Sequence, residues 1–165
     1  MKRSNEAGYR DYVAARMEVL RRTAYLLCRD WHLADDLVSI TIGKLYRHWH
    51  RAKDLAHLDA YVRQILVRTW LDERIRPWRR EEPTESLPDV PVTSRTDVEE
   101  REGLVELLAS LPPRRRAAVV LRVYCDLSVE DTAKILGCSE GTVKSQTARG
   151  LDALRALVAE TPTPN

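Results

Sequence analysis

Cysteine is scarce in this chain: Cys28, Cys125 and Cys138 are an odd number, far apart, and form no C-x-x-C pair. Each falls in a helical, partly apolar context, which fits buried thiols in a reducing compartment and argues against a disulfide framework or a thiolate metal site. Of the four histidines, His48 and His50 stand two positions apart and so face different sides of a helix, which speaks against a shared metal ion. No apolar run approaches about 18 residues and no signal peptide opens the chain, so a soluble, cytoplasmic protein without a membrane partner is expected. Catalytic signatures are missing too. There is no phosphate-binding glycine loop, nucleophile elbow or paired-carboxylate cleft motif, so neither an enzyme nor a bound cofactor or metal is expected. The net charge of +2 is small, but it hides a sharp division. Residues 1–80 carry 17 Lys+Arg against 10 Asp+Glu, residues 81–113 carry 2 against 9, and residues 114–165 carry 8 against 6. Two basic ends around an acidic middle suit two polyanion-binding modules with a connector that avoids the same surfaces; a merely solvated basic surface is the alternative.

What the sequence does contain is helical patterning throughout, and its most specific stretch is Asp126 to Arg155. Ser128 is a good N-cap, with Asp131 three residues on as the acidic partner of a near capping box. A short apolar helix follows through Ala133, Ile135 and Leu136. Gly137 supplies the permissive backbone of a sharp turn and Ser139 caps a second helix. This spacing predicts a helix-turn-helix. On the second helix Val143, Thr147, Leu151, Leu154 and Val158 step by three or four and form an inner face, leaving Lys144, Ser145, Ala148, Arg149 and Asp152 outward. Small side chains at Gly141, Ser145 and Ala148 allow close approach to a duplex, and Lys144 and Arg149 suit phosphates or guanine edges.

Upstream, a helix is predicted over about residues 5–29 on the stripe Tyr9, Tyr12, Val13, Met17, Leu20, Ala24, Leu27 and Cys28. Asp30 reads as the N-cap of a second helix carrying Leu37, Val38, Ile40, Ile42, Leu45, Tyr46 and Trp49. Its apolar residues spread too widely for one face, which implies either burial between two neighbours or a partner surface. After a polar connector over 53–58, Asp59 reads as the cap of a third helix. There Tyr61, Ile65, Leu66, Thr69 and Leu71 alternate with Arg63, Arg68, Arg74 and Arg76 until Pro77 stops it. Trp70 and Trp78 bring aromatic rings into this basic stretch. Interleaved cations and rings suit single-stranded nucleic acid, while aromatics at helical spacing equally suit a plain core. Residues 81–95 hold Pro83, Pro88, Pro91 and four acidic residues, and read as an extended linker. Thr96 with Glu99 opens a helix to about Ser110. Pro112 and Pro113 open another, in which Arg114, Arg115 and Arg116 precede an apolar run, Ala117 to Val123, expected to be buried. Residues 161–165 read as a frayed tail. The expected fold is all-α in two small helical domains, 1–80 and 96–160.

The chain resembles the extracytoplasmic-function (ECF, group 4) sigma factors of bacterial RNA polymerase, actinobacterial type, over nearly its whole length. Region 2 of that family is matched by Asp30 with Ala34-Asp35-Asp36-Leu37, by Leu45-Tyr46 and Trp49, by Ala60-Tyr61-Val62-Arg63 and by Trp78-Arg79-Arg80. Region 4 is matched by Leu111-Pro112-Pro113-Arg114, the run Val119 to Tyr124, Asp126-Leu127-Ser128 and Gly137 through Ser145. The resemblance implies a non-enzymatic sigma factor that binds polymerase core through the β′ clamp helices and β flap, reads promoter DNA near the nucleoid, and can be held by an anti-sigma factor. It implies core contacts at Asp35, Asp36, Leu37, Ser39, Ile40, Leu45 and Tyr46. It implies −10 contacts at Trp49, Lys53, His57, Tyr61, Gln64, Arg68, Arg76 and Arg79, and −35 contacts at Ser139, Thr142, Lys144, Ser145, Gln146, Ala148 and Arg149. Ser39, Arg68 and Gly150 depart from the residues usual in that family (Gln, Asn and Ala), and Gly150 is expected to weaken its helix by up to ~1 kcal/mol. A stand-alone helix-turn-helix regulator is the second reading, and a protein-interaction module acting as an anti-sigma decoy a third.

Overall fold

The computed structural model describes residues 3–75 and 103–160, and all of the regular structure in them is helical. The chain divides into two compact units, Met1–Pro83 and Thr84–Asn165. Arg76, Trp78, Arg79, the predicted linker 81–95, the Thr96 cap and the tail 161–165 lie outside the described residues.

The first unit is built from α1 (Arg3–Cys28), α2 (Trp31–Ala52) and α3 (Leu58–Ile75). Helix α1 stops where Arg29 turns left-handed (φ 61°), with its N–H still donating to the Tyr25 carbonyl at 2.8 Å. One residue later Asp30 starts α2, its carboxylate accepting from the N–H groups of His32 (2.8 Å) and Leu33 (3.2 Å), so the two helices form a tight hairpin. Beside that turn the Trp31 ring stacks on Tyr25 at 4.0 Å, and the Arg21 guanidinium lies 4.9 Å from the centre of the same indole. Arg21 also donates to Asp35 at 2.6 Å.

Helix α2 is the middle element. Ala34, Leu37, Val38, Thr41, Leu45, Trp49 and Ala52 are all buried, on two adjoining stripes that face α1 and α3. Most of its wide apolar spread is therefore core between two neighbours, while Ile40 and Ile42 are half-buried and Tyr46 is exposed. Trp70 is buried as well, with Val62, Leu66 and Val67. Of the two readings the sequence left open for this ring, burial decides for the core.

Asp59 corrects the expected cap of α3. The helix begins at Leu58 and Asp59 stands in its first turn, where its carboxylate accepts from Tyr12 Oη (2.6 Å) and Arg16 Nε (3.0 Å) of α1. The residue staples α1 to α3 and leaves its own helix end uncapped by its side chain.

The second unit starts, in the described residues, with a helix at 103–109 (α4), followed by α5 (Pro113–Val119), a π-helical turn (Val120–Tyr124), α6 (Val129–Leu136) and α7 (Glu140–Glu160). Pro113 opens α5 at a position where no N–H is needed. Arg116 is buried, and its Nη2 donates to the carbonyls of Ala109 (3.0 Å) and Leu111 (2.9 Å) at the end of α4. The apolar run expected to stay inside through Val123 does not. Cys125 N–H donates to the Val120 carbonyl five residues back, and this wider turn puts Val123 and Tyr124 outside, 57% and 46% exposed.

Candidate nucleic-acid and polymerase interfaces

The helix-turn-helix forms as its caps dictate. Ser128 Oγ accepts from Asp131 N–H at 3.0 Å and fixes the start of α6. Gly137 closes it in the left-handed region (φ 65°), and Cys138 N–H returns to the Ala133 carbonyl at 3.1 Å. Arg114 adds a side-chain cap, donating from Nη2 to the Leu136 carbonyl. Ser139 then opens α7, its Oγ accepting from Thr142 N–H at 3.1 Å and lying 2.9 Å from Thr142 Oγ1.

Val143 is fully buried and anchors α7 in the unit. Thr142, Lys144, Ser145, Ala148 and Arg149 are exposed on one broad face, with Ser139 just ahead of them. The expected inner face fades toward the end of the helix: Thr147, Leu151 and Leu154 are half-buried, and Val158, counted inward from the sequence, is 58% exposed. Gln146 stands at the edge of the polar face, half-buried, with Oε1 accepting from Arg115 Nε at 3.1 Å. Gly150 is buried, and a Cβ added there would come within 2.5 Å of Val119 Cγ2. This glycine permits the contact between α7 and α5.

In the first unit the implied contact residues divide by burial. Asp35, Asp36, Ser39 and Tyr46 are exposed on the outer side of α2, with Ile40 half-buried beside them. Leu37 and Leu45 are fully buried. They are packing residues, and the resemblance placed them at a partner surface that their side chains do not reach. Trp49 is corrected in the same way. It is 5% exposed, packs edge-on to Tyr9 at 5.7 Å and lies 5.8 Å from Tyr12, so its ring is not offered to a nucleobase. Lys53 and His57 are exposed in the α2–α3 connector, Lys53 Nζ donating to Asn5 Oδ1 at 2.8 Å. On α3, Tyr61 and Gln64 are half-buried and Arg68 is exposed. With the Gln64 amide turned to face it, Arg68 donates to Gln64 Oε1 from both terminal nitrogens, at 2.7 and 2.9 Å.

Sequence reasoning missed the Tyr12–Arg16–Asp59 cluster. Burial alone would raise the Asp59 carboxyl, but the hydrogen bonds from Tyr12 and Arg16 and the charge of Arg16 outweigh it and hold the group below its ordinary value. Burial, followed by the hydrogen bond to Asp59, raises the Tyr12 phenol well above its ordinary value and keeps it a donor. The only hint in the sequence was an acidic residue near a helix start facing a basic, Tyr-containing stripe. It also missed the individual duties of Arg114, Arg115 and Arg116, for which three consecutive arginines gave no distinguishing signal.

Residues 13–80 match the model of sigma-70 region 2, and residues 101–154 match that of sigma-70 region 4. Over 152 residues the chain is 37% identical to the RNA polymerase sigma-E factor of Streptomyces coelicolor, covering 89% of this chain and 84% of that protein. The chain belongs to the sigma-70 family. Within it the ECF group is indicated by 36% identity over 141 residues to the ECF RNA polymerase sigma factor SigM of Mycobacterium tuberculosis, covering 84% and 71% of the two chains. The sigma factor RpoE of Bartonella quintana, solved with the anti-sigma factor NepR, matches at a TM-score of 0.76 and 25% identity over 94% of this sigma factor and 99% of that one. CnrH, solved with the cytosolic domain of CnrY, shares the fold at a TM-score of 0.66 and 22% identity, over 94% and 91% of the two chains. Among the described residues of this sigma factor, no helix is long and apolar enough to cross a membrane.

Proposed function

We propose that this ECF sigma factor joins RNA polymerase core through the outer face of α2, reads the −35 element as duplex through α7, and reads the −10 element as melted strand through α3 and the connector before it. The observation that carries the reading is the exposed polar face of α7, Thr142 to Arg149, set on a correctly capped helix-turn-helix. Small residues at Ser145 and Ala148 let that face approach a major groove, and Lys144 and Arg149 supply the cations. In the first unit Lys53, His57, Tyr61, Gln64 and Arg68 form the −10 surface, and Trp49 supports it from within. Melting needs no covalent step and no nucleotide: binding to unstacked bases offsets the few kcal/mol that unstacking costs. The protein therefore acts by recognition alone. Its place of action is the cytoplasm, at the nucleoid, and an anti-sigma factor is a fitting partner because the similar RpoE was captured with one, NepR.

The test combines purified core polymerase, this protein and a library of promoter fragments, with transcript starts mapped by sequencing. Specific starts are expected only with both proteins present. Asp36→Arg with Ser39→Arg, both on the exposed side of α2, should abolish them while leaving −35 duplex binding intact. Binding of an operator by the protein alone, with no effect of core, would overturn the reading.

A further inference from the structure

Gly150 and Arg115 have a common geometry that neither the family resemblance nor the exposed face of α7 accounts for. Arg115 lies on α5, and its Cγ and Cδ would stand 3.2 and 3.7 Å from a Cβ placed on Gly150. The stem of Arg115 therefore rests in the hollow that the glycine leaves on α7. Four residues earlier on the same face of α7 stands Gln146, and there Arg115 Nε donates to Gln146 Oε1 at 3.1 Å. Arginine has donors and no acceptor, so only the carbonyl oxygen of the amide can meet it. The orientation of Gln146 is thereby fixed: its oxygen is turned to α5 and its NH2 points away from it.

We propose that Arg115 is a positioning residue for promoter recognition, making Gln146 a donor-only reader of one base pair in the −35 element. This rests on the assignment of α7 to the −35 duplex. A glutamine free to turn reads adenine with both halves of its amide, accepting from N6 and donating to N7. Arg115 takes one of the two lone pairs of that oxygen and holds it toward α5, so the amide cannot turn to set both its halves on adenine. Its NH2 is left to meet acceptors, which guanine presents twice, at N7 and O6. The pair thus selects guanine over adenine at the base that Gln146 faces, with no direct contact between Arg115 and that base.

The experiment measures holoenzyme binding to promoters randomised across the −35 element, for the wild type, Arg115→Met, Gln146→Met and the double variant. Methionine keeps an apolar stem for the hollow and removes the donor. Preference is a ratio between sequences within one preparation, so any loss of folded protein cancels. Arg115→Met should move the adenine-to-guanine ratio at one base position by about fivefold toward adenine, the scale of one hydrogen bond. Gln146→Met should flatten the preference at that same position, and adding Arg115→Met to it should change nothing more. The proposal is overturned if Arg115→Met weakens all sequences equally, as loss of a phosphate contact would, or shifts preference to the same extent without Gln146. It is equally overturned if Gln146→Met leaves every base preference in place. Arg149→Ala is carried alongside: if that variant too binds every −35 sequence as the wild type does, the failure lies with the assignment of α7 itself.

Discussion

Asp59 collects two donors from α1, Tyr12 Oη and Arg16 Nε, onto one carboxylate oxygen. Its folded pKa is held below the ordinary value of 3.8. In acid the unfolded chain then binds the proton more readily than the folded one. The stabilisation is fully present above that ordinary value and is lost as pH falls through it toward the lower folded value. Asp59→Asn should therefore be less stable than the wild type near neutrality, with the gap closing below about pH 4. Urea unfolding of both proteins across the acid range measures this, and a gap constant with pH would show that packing alone joins α1 to α3 here. The side chain is 41% exposed, so solvent screening keeps the effect modest. Two cations of α7 separate by similar reasoning. Lys144→Ala should weaken promoter binding evenly across sequences and lower the salt slope by about one, whereas Arg149→Ala should cost about 1–3 kcal/mol unevenly across −35 variants. Binding titrations at several salt concentrations distinguish the two. Gly150→Ala reverses the usual expectation for a glycine in a helix. Propensity favours alanine by up to ~1 kcal/mol, but the new methyl would meet Val119 Cγ2 at 2.5 Å on a β-branched, buried side chain that has little room to move. Overpacking of this kind costs about 1–3 kcal/mol, so a net loss is expected, read by scanning calorimetry.

At the scale of the element, α2 shows why burial must accompany any transfer of roles by resemblance. Leu37 and Leu45 match the family's pattern because α2 needs them for its own packing, and the residues left facing out are Asp35, Asp36, Ser39 and Tyr46. Leu37→Arg should unfold the first unit, since an unpaired buried charge costs about 3–5 kcal/mol, while Ser39→Arg should change stability by no more than about 0.5 kcal/mol. Parallel chemical denaturation and core-binding assays of the two variants separate folding from contact. Helix ends were the most readable feature of the chain, because a cap is a local matter between one side chain and an N–H two or three residues on: Asp30, Ser128, Gly137 and Ser139 all serve as their types suggest. Long-range pairings were not readable. Nothing local tells that Asp59 is claimed by residues 47 and 43 positions earlier. The wide turn at Val120–Tyr124 was hidden for another reason: its residues carry an ordinary apolar pattern, and only the hydrogen bond from Cys125 to Val120 shifts the register that exposes Val123. In α7 the polar face was legible from spacing, whereas the inward tie of Gln146 depended on a partner from another helix.

For the molecule as a whole, the distribution of its indoles has a practical consequence. All four tryptophans, at positions 31, 49, 70 and 78, precede the division at Pro83. Trp49 and Trp70 are sealed in the first core and Trp31 is stacked on Tyr25. Intrinsic fluorescence excited at the indole band is therefore a private signal of the first unit, while far-ultraviolet circular dichroism sums the helices of both. In a denaturation followed by the two signals together, Gly150→Ala should move the dichroism curve and leave the emission midpoint where it was. If emission moves in step, the two units unfold as one cooperative body, and each would have to be studied in the other's presence. If it does not, the first unit carries its own built-in optical reporter, and any change in emission on addition of core can be read without attaching a dye.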